Sequence, residues 1–381
     1  MPTSDFGPFA GRTWLNTAHQ GPLPRPAVAA ARDALADKAA PARIADDAFF
    51  ELPQRLKRGL ARLVGADPAD VVLGNSTTYG LHLLAHGLPL QAGDEVLLVD
   101  GDFPASVTPW LALERRGIRV RLISPRSRPL SAAQLEAELS PRTRVFCSSW
   151  VFSFTGEAVD LAALGAVCRS AGVTFVVNGS QGVGARLIDV GSLSIDALVS
   201  CGFKWLCGPY ATGFAWLRRE LTERLDYRQA YWLSQMSGSD LANEMSYELR
   251  DDLGASEYDV FCTANFLNFA PWAAAVELLL DRGIEAVAEH DQRLVGRVVD
   301  GLADSEWELV SPAQQPDRST LVLIRHRQPE RTRRAFDALA AEGVDVALRG
   351  DCIRMSPHLH NSDADIDRAL DVLTGVTQVV G

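Results

Sequence analysis

From residue 70 to residue 217 the chain alternates short apolar runs with amphipathic ones, and this alternation restricts its fold more than any other feature. DVVLG (70–74) leads into STTYGLHLLAHGL, and DEVLLVD (94–100) into PASVTPWLALERRG. RVRLIS, SAAQLEAELS, RVFCSSWVF, DLAALGAVCRSAG, TFVVN, IDALVSCGFKWLCGP and GFAWLRR follow in turn. The apolar runs are too short for buried helices and, RVRLIS apart, lack polar alternation, as strands covered on both faces do; the segments between them carry helical spacing. The pattern predicts an α/β fold with a mostly parallel sheet between two helical layers. After an irregular stretch at 225–260, a helical segment is expected from near Ala264 to near Leu302. Beyond 303, STLVLIRH, ERTRRAFDALAAEG, CIRMSPH and DADIDRALDVLTG read as a small α+β domain, with PAQQPDRS (312–319) an exposed loop. The expected division is an N-terminal arm at 1–20, a large domain at 21–260, and a linking helix with a small C-terminal domain at 261–381.

In a doubly wound sheet, ligands bind beyond the carboxyl ends of the strands. Five such ends are polar or glycine-rich: Asn75 to Thr78, Asp102-Phe103, Ser148 to Ser153, Asn178 to Gln181, and Cys201 to Lys204. They are expected to converge on one site. Ser76, Thr77 and Thr78 open a helix, where hydroxyls and free N–H groups make an anion site, or simply an N-cap. The glycines of GSQGVGA are not spaced as a dinucleotide fingerprint, and no Walker sequence is present.

Composition narrows the chemistry. Lys38, Lys57 and Lys204 are the only lysines. Lys38 and Lys57 lie in charged helical stretches and read as solvated. Lys204 sits between Phe203 and Trp205, just past an apolar strand. Desolvation lowers an amine's pKa and suits Schiff-base chemistry; a lysine snorkelling from an apolar patch is the plainer alternative. A net charge of −11 argues against a nucleic-acid partner. No apolar run reaches membrane-spanning length, and MPTSDFGPFAGRTW lacks a basic region and an apolar core, so the chain is expected to be cytoplasmic. The six cysteines show no metal spacing and are expected to be reduced.

Lys204 in GFKWLCGPYATGF, the strand end VNGSQGVGA, the helix start NSTTYGLHLLA and the segment CIRMSPHLHNSDADID occur together and in order. In this the chain resembles the fold-type I, class V aminotransferase family of pyridoxal 5′-phosphate (PLP) enzymes, nearly from end to end. The family includes cysteine desulfurases, kynureninase and isopenicillin N epimerase-like proteins. The resemblance implies that Lys204 forms the Schiff base with PLP and acts as base at Cα. Ser76, Thr77 and Thr78 would hold the phosphate, Phe103 would stack on the cofactor face, and Gln181 would lie near the phenolic oxygen. Ser153 and Cys201 fall among the cofactor-binding positions. Arg354 matches the arginine that clamps a substrate carboxylate, a task suited to a planar fork. His19 and Gln20 lie in a turn that faces the substrate. Thr263 matches a threonine that reaches the phosphate of a neighbouring subunit, which implies a homodimer.

The sequence departs from the family at Asn178, where an Asp usually pairs with the pyridine nitrogen. An amide supplies no charge, so the ring should be a weaker electron sink. Three readings follow: chemistry that needs less delocalisation, such as β-elimination or epimerisation; loss of catalysis with PLP retained; or deamidation at Asn178-Gly179. Cys201 and Phe203 stand where desulfurase-like members often have Ser and His, and Phe203 points to the epimerase-like branch. The stretch before Arg354 lacks the loop cysteine of a desulfurase, since Cys352 lies in the strand itself. His358, His360 and Asp363 form a weak metal motif, better read as a polar strand end. Arg349 is a candidate second anion ligand. Tyr227, Tyr231 and Trp232 are candidate pocket walls or contact residues. The expected activity is a PLP-dependent lyase acting at Cα of an amino acid, with C–S cleavage in specialised metabolism a favoured case. Transamination, epimerisation, decarboxylative oxidation and a catalytically silent PLP-binding protein are the alternatives.

Overall fold

A computed structural model describes residues 3–126, 128–236 and 248–378. Positions 237–247 of the irregular stretch lie outside the described residues. Seven strands form the main sheet: β1 Val71–Gly74, β2 Glu95–Val99, β3 Arg119–Ile123, β4 Thr143–Ser149, β5 Thr174–Asn178, β6 Ala197–Cys201 and β7 Gly213–Leu217. Their spatial order is β1-β7-β6-β5-β4-β2-β3. Neighbours run parallel except around β7, which is antiparallel to both β1 and β6. In β1, β2, β5, β6 and β7 every residue is buried, which is why these strands read as unbroken apolar runs. One core cluster forms on each face of the sheet: Leu73, Leu97, Phe146, Phe175 and Leu198 belong to one, and Val72, Val96, Val145, Val176 and Val199 to the other.

The helix Thr77–Gly87 starts at the end of β1 and the helix Pro104–Leu111 just beyond β2. Both therefore point their N-termini at the carboxyl edge of the sheet. A second, four-stranded antiparallel sheet is built from β8 Trp307–Leu309, β9 Val322–His326, β10 Ala347–Arg349 and β11 Cys352–Met355, in the order β10-β11-β9-β8. Its apolar face packs with Leu294, Val298, Leu339 and Leu373 from neighbouring helices. Thr13–Trp14 pairs in parallel with Val344–Asp345, so residues near the N-terminus are tied to this second sheet.

Three expectations need correction. The helical stretch from Ala264 to Leu302 is two helices, Phe266–Arg282 and Ile284–Gly301, separated by Gly283 at φ +79°. Gly at a helix terminus takes a positive φ without a Cβ penalty. The 312–319 loop is not exposed throughout, because Ser319 is buried and donates to the Gly156 carbonyl at 2.5 Å. Lys57 is not solvated: its ammonium is buried, 2.8 Å from Asp259 Oδ2 and 2.8 Å from Ser256 Oγ. The charged look of LPQRLKRGLARL hid this, since the carboxylate comes from a distant segment.

Candidate active site

All five polar strand ends meet at one cavity of about 310 Å³ at the carboxyl edge of the main sheet. Ser76, Thr77, Thr78, Phe103, Ser153, Asn178, Gln181, Cys201 and Lys204 line it, together with His19, Arg349 and Arg354. Gln20 and Thr263 do not. Tyr227, Tyr231 and Trp232 are also absent from the lining. Ser149 and Ser180 also line the cavity, within two of the strand ends expected to converge, whereas Phe154 and Tyr210, which carry no spacing signal of their own, were missed by sequence reasoning. Among the described residues that line the cavity, none is Asp or Glu, while Lys204, Arg349 and Arg354 are basic.

The Lys204 loop is fixed by close packing. A Cβ on Gly21 would stand 1.9 Å from the Lys204 carbonyl oxygen, and a Cβ on Gly202 would stand 2.5 Å from the Trp272 ring. Both positions thus require glycine for close approach rather than for turn geometry. Behind the loop, His358 donates from Nε2 to the Trp205 carbonyl at 3.0 Å and from Nδ1 to Asp291 Oδ2 at 2.7 Å. Both side chains are fully buried. Burial alone would lower the His358 pKa, but the Asp291 carboxylate raises it to about 10. His360 is bonded through Nε2 to the Trp14 carbonyl, and burial pushes its pKa down to about 3. Both histidines are part of the support behind the loop. No cluster of three or more His, Cys, Asp or Glu among the described residues could hold a metal ion.

Lys204 Nζ lies 5.4 Å from the centroid of the Phe103 ring. Burial lowers the amine's pKa; Cys201 opposes this, and Arg354 and then Arg349 lower it further. A desolvated amine among cations is a better nucleophile at neutral pH than an ordinary lysine. His19 is lowered by burial first, then by Arg349, Arg354 and Lys204, so it is neutral at pH 7.

Arg354 is 2% exposed. Its Nη1 donates to the Ser153 carbonyl at 3.3 Å, while Nε and Nη2 make no bond among the described residues. Burial, then Arg349, pushes its pKa down to about 9. A buried guanidinium with two unbonded nitrogens and no carboxylate partner is costly unless an anion joins it.

At the other side of the cavity, Ser76 caps the helix Thr77–Gly87 by accepting from Tyr79 N at 3.1 Å. Its hydroxyl donates to Asn75 Oδ1. Thr78 Oγ1 makes no bond among the described residues, so this turn offers an anion the Thr78 hydroxyl and the N–H groups of the first helical turn. Asn178 Nδ2 donates to Ser106 Oγ at 2.9 Å, and Asn178 Oδ1 accepts from Ser180 N at 3.0 Å and from Ser180 Oγ at 2.6 Å. Gln181 is committed within the protein: Nε2 donates to the Ala18 carbonyl and Ser153 Oγ, and Oε1 accepts from Trp205 Nε1 at 2.8 Å. It ties the N-terminal turn to the lysine loop.

This donor set fits PLP. A depressed amine stands at one wall, an anion-binding helix start at another, and Phe103 lies against the amine. The cationic lining without acids suits a ligand carrying a phosphate and a second anionic group. The comparisons with known proteins agree. A sequence model described as aminotransferase class-V matches residues 25–368. Isopenicillin N epimerase of Streptomyces clavuligerus is 29% identical over 387 residues, covering 95% of this chain and 94% of the epimerase. Among solved structures, a lysine-to-alanine mutant of C-DES with glycine covalently linked to its PLP cofactor superimposes with a TM-score of 0.87 at 22% identity, covering 98% of this chain and 99% of that one. The cystine C–S lyase C-DES with its product cysteine persulfide gives 0.84 at 23% identity, covering 96% and 98%. This chain belongs to the class V aminotransferase family and is a PLP-dependent enzyme of fold type I.

Proposed function

We propose that the enzyme acts at Cα of an amino acid whose carboxylate is held by Arg354, and that it eliminates a β-substituent, with C–S bond cleavage the leading case. The observation that carries the reading is the buried Arg354 guanidinium, without a carboxylate partner among the described residues, in the same cavity as the depressed Lys204 amine. When bound at Lys204, PLP would supply an electrophilic carbon at which the substrate amine takes the place of the Lys204 amine, and a conjugated ring that spreads the negative charge left at Cα. The protein does the rest. Arg354 Nε and Nη2 bind the carboxylate and thereby orient the Cα–H bond. The Lys204 amine, deprotonated more readily than an ordinary lysine, takes the Cα proton. The Cα electron pair becomes the Cα=Cβ bond as the β-substituent leaves with its own bonding pair. His19, neutral and part of the same lining, is assigned the proton transfer at the leaving group in this reading. Water then releases a 2-oxo acid and ammonia. Phe103 and Phe154, with ring centroids 6.2 Å apart, cover part of the cavity and limit water.

The cofactor and substrate roles given above to Ser76, Thr77, Thr78, Ser153, Cys201 and Gln20 are part of this proposal, as is the division of the chain into arm, large domain and small domain. So is a homodimer in which Thr263 serves the partner's site. The large exposed apolar side chains Tyr210 (63%), Phe261 (59%) and Trp232 (55%) support a buried contact there. No helix among the described residues is long and apolar enough to cross a membrane.

A second reading, epimerisation, is favoured by the epimerase relative that spans nearly the whole chain. One experiment separates the two. The PLP-loaded enzyme is incubated in D₂O with cystine, cysteine S-conjugates and a panel of other amino acids, and the products are read by mass spectrometry and chiral chromatography. A 2-oxo acid with ammonia and a thiol or persulfide supports elimination. A substrate recovered intact with deuterium at Cα and inverted configuration establishes epimerisation instead. Conversion of the cofactor to its amine form with one equivalent of 2-oxo acid marks a transaminase.

A further inference from the structure

The hydrogen bonds around Asn178 have forced directions. Ser180 N can only donate, so the Asn178 atom 3.0 Å from it is the carbonyl oxygen and not the amide nitrogen. That oxygen can only accept, so the Ser180 hydroxyl, 2.6 Å away, spends its single proton on it. The Thr77 hydroxyl, 2.6 Å from Ser180 Oγ, must then donate to Ser180. On the other side, Asn178 Nδ2 donates to Ser106 Oγ at 2.9 Å. The Ser149 hydroxyl donates to the Asp102 carboxylate at 2.5 Å, so the proton between Ser106 and Ser149, 3.4 Å apart, belongs to Ser106. The result is a one-way chain, Thr77 to Ser180 to Asn178 to Ser106 to Ser149 to Asp102. Asp102 anchors it, accepting also from Phe103 N at 2.6 Å and Ser149 N at 2.8 Å.

Two independent anchors, the Ser180 N–H at one end and the Asp102 carboxylate at the other, therefore set the same polarity at Asn178. Its oxygen already has two donors, and the one hydrogen-bonding capacity left is the second N–H on Nδ2. We infer that Asn178 offers the cofactor's ring nitrogen a donor and not an acceptor, so this enzyme holds PLP with that nitrogen unprotonated, and that Asp102 is a positioning residue for the amide. The inference rests on the proposed PLP site and deepens it. The charged groups facing the cavity agree: Lys204, Arg349 and Arg354 all disfavour a further proton, and no carboxylate lines the wall among the described residues. Asp102, 8% exposed, stands behind Ser149 and the start of the helix Pro104–Leu111. An unprotonated ring delocalises a Cα charge less. That favours reactions in which the charge is discharged at once into a departing β-substituent.

The test loads the protein with PLP labelled with ¹⁵N in the ring and reads the nitrogen resonance by NMR, which requires no turnover. The expected wild-type shift is that of an unprotonated pyridine, unchanged from pH 6 to pH 9. In Asn178→Asp the resonance should move far upfield to the protonated position, and in Asp102→Asn it should broaden or split as the amide loses its fixed orientation. A wild-type resonance at the protonated position overturns the inference while leaving the PLP site standing. Equal shifts in wild type and Asn178→Asp overturn the role given to the amide. Failure of PLP to bind at Lys204 removes the proposed site, and this inference with it.

Discussion

Two buried cations carry opposite lessons. Lys57 and Arg354 are both almost wholly excluded from water, at 1% and 2% exposure. The Lys57 ammonium has a carboxylate at 2.8 Å and a hydroxyl at 2.8 Å. Its partner Asp259 also accepts from Leu73 N in β1 at 2.7 Å. Arg354 has one carbonyl contact and two idle nitrogens. The first charge is neutralised by the fold and belongs to its framework. The second is left unneutralised, at a cost to stability, and stands in the same cavity lining as Lys204, whose amine pKa burial lowers. Buried charge without a partner marks the site; buried charge with one marks the scaffold.

The largest effect is expected from Lys204→Ala. Turnover should fall roughly 10²–10⁴-fold, as for loss of a positioned base, with denaturant stability unchanged or slightly raised. Next comes Asp259→Ala, which leaves Lys57 buried and unpaired and should cost about 3–5 kcal/mol in urea unfolding. Adding Lys57→Met should recover most of that loss; no recovery would mean that the pair is not what stabilises β1. Arg354→Met should do the reverse of Asp259→Ala. Its kcat/KM should drop on the order of 10²-fold, while its unfolding midpoint stays level or rises. A lowered midpoint would put Arg354 on the scaffold side of the comparison and break it.

His358 and Asp291 also belong with the scaffold, and their effect shows in the pH dependence of stability. The folded pKa of His358, about 10, lies above its unfolded value of about 6.5. The stabilisation is therefore complete below about pH 6.5 and is lost as pH rises through 10. Wild-type stability should decline across that window, and His358→Gln should flatten the decline.

The sheet was legible because strands covered on both faces carry no polar residues except where they end. Those ends gave the site: Asn75, Phe103, Ser149, Asn178 and Lys204 all follow or close apolar runs. The resemblance placed Arg354, which no spacing would have found. Other features were hidden for physical reasons. Lys57 and Asp259 lie far apart in the chain, and only the packing of the helix Ala48–Val64 brings them together. Ser106 looks like any residue of a helical first turn, and its contact with Asn178 depends on strand order. The paired segments Thr13–Trp14 and Val344–Asp345 are each two residues long, too short for any periodicity. The break at Gly283 did have a signal, a glycine just after a basic residue at a helix end, and the long apolar pattern on either side masked it.

The most direct test of the central claim is the absorption spectrum of the purified protein titrated with PLP, alongside Lys204→Ala. The account predicts a visible band in the wild type that saturates at one equivalent per chain, is absent in Lys204→Ala, and shifts when an amino acid is added. A wild type with no such band, or a Lys204→Ala variant with the same band, would contradict it.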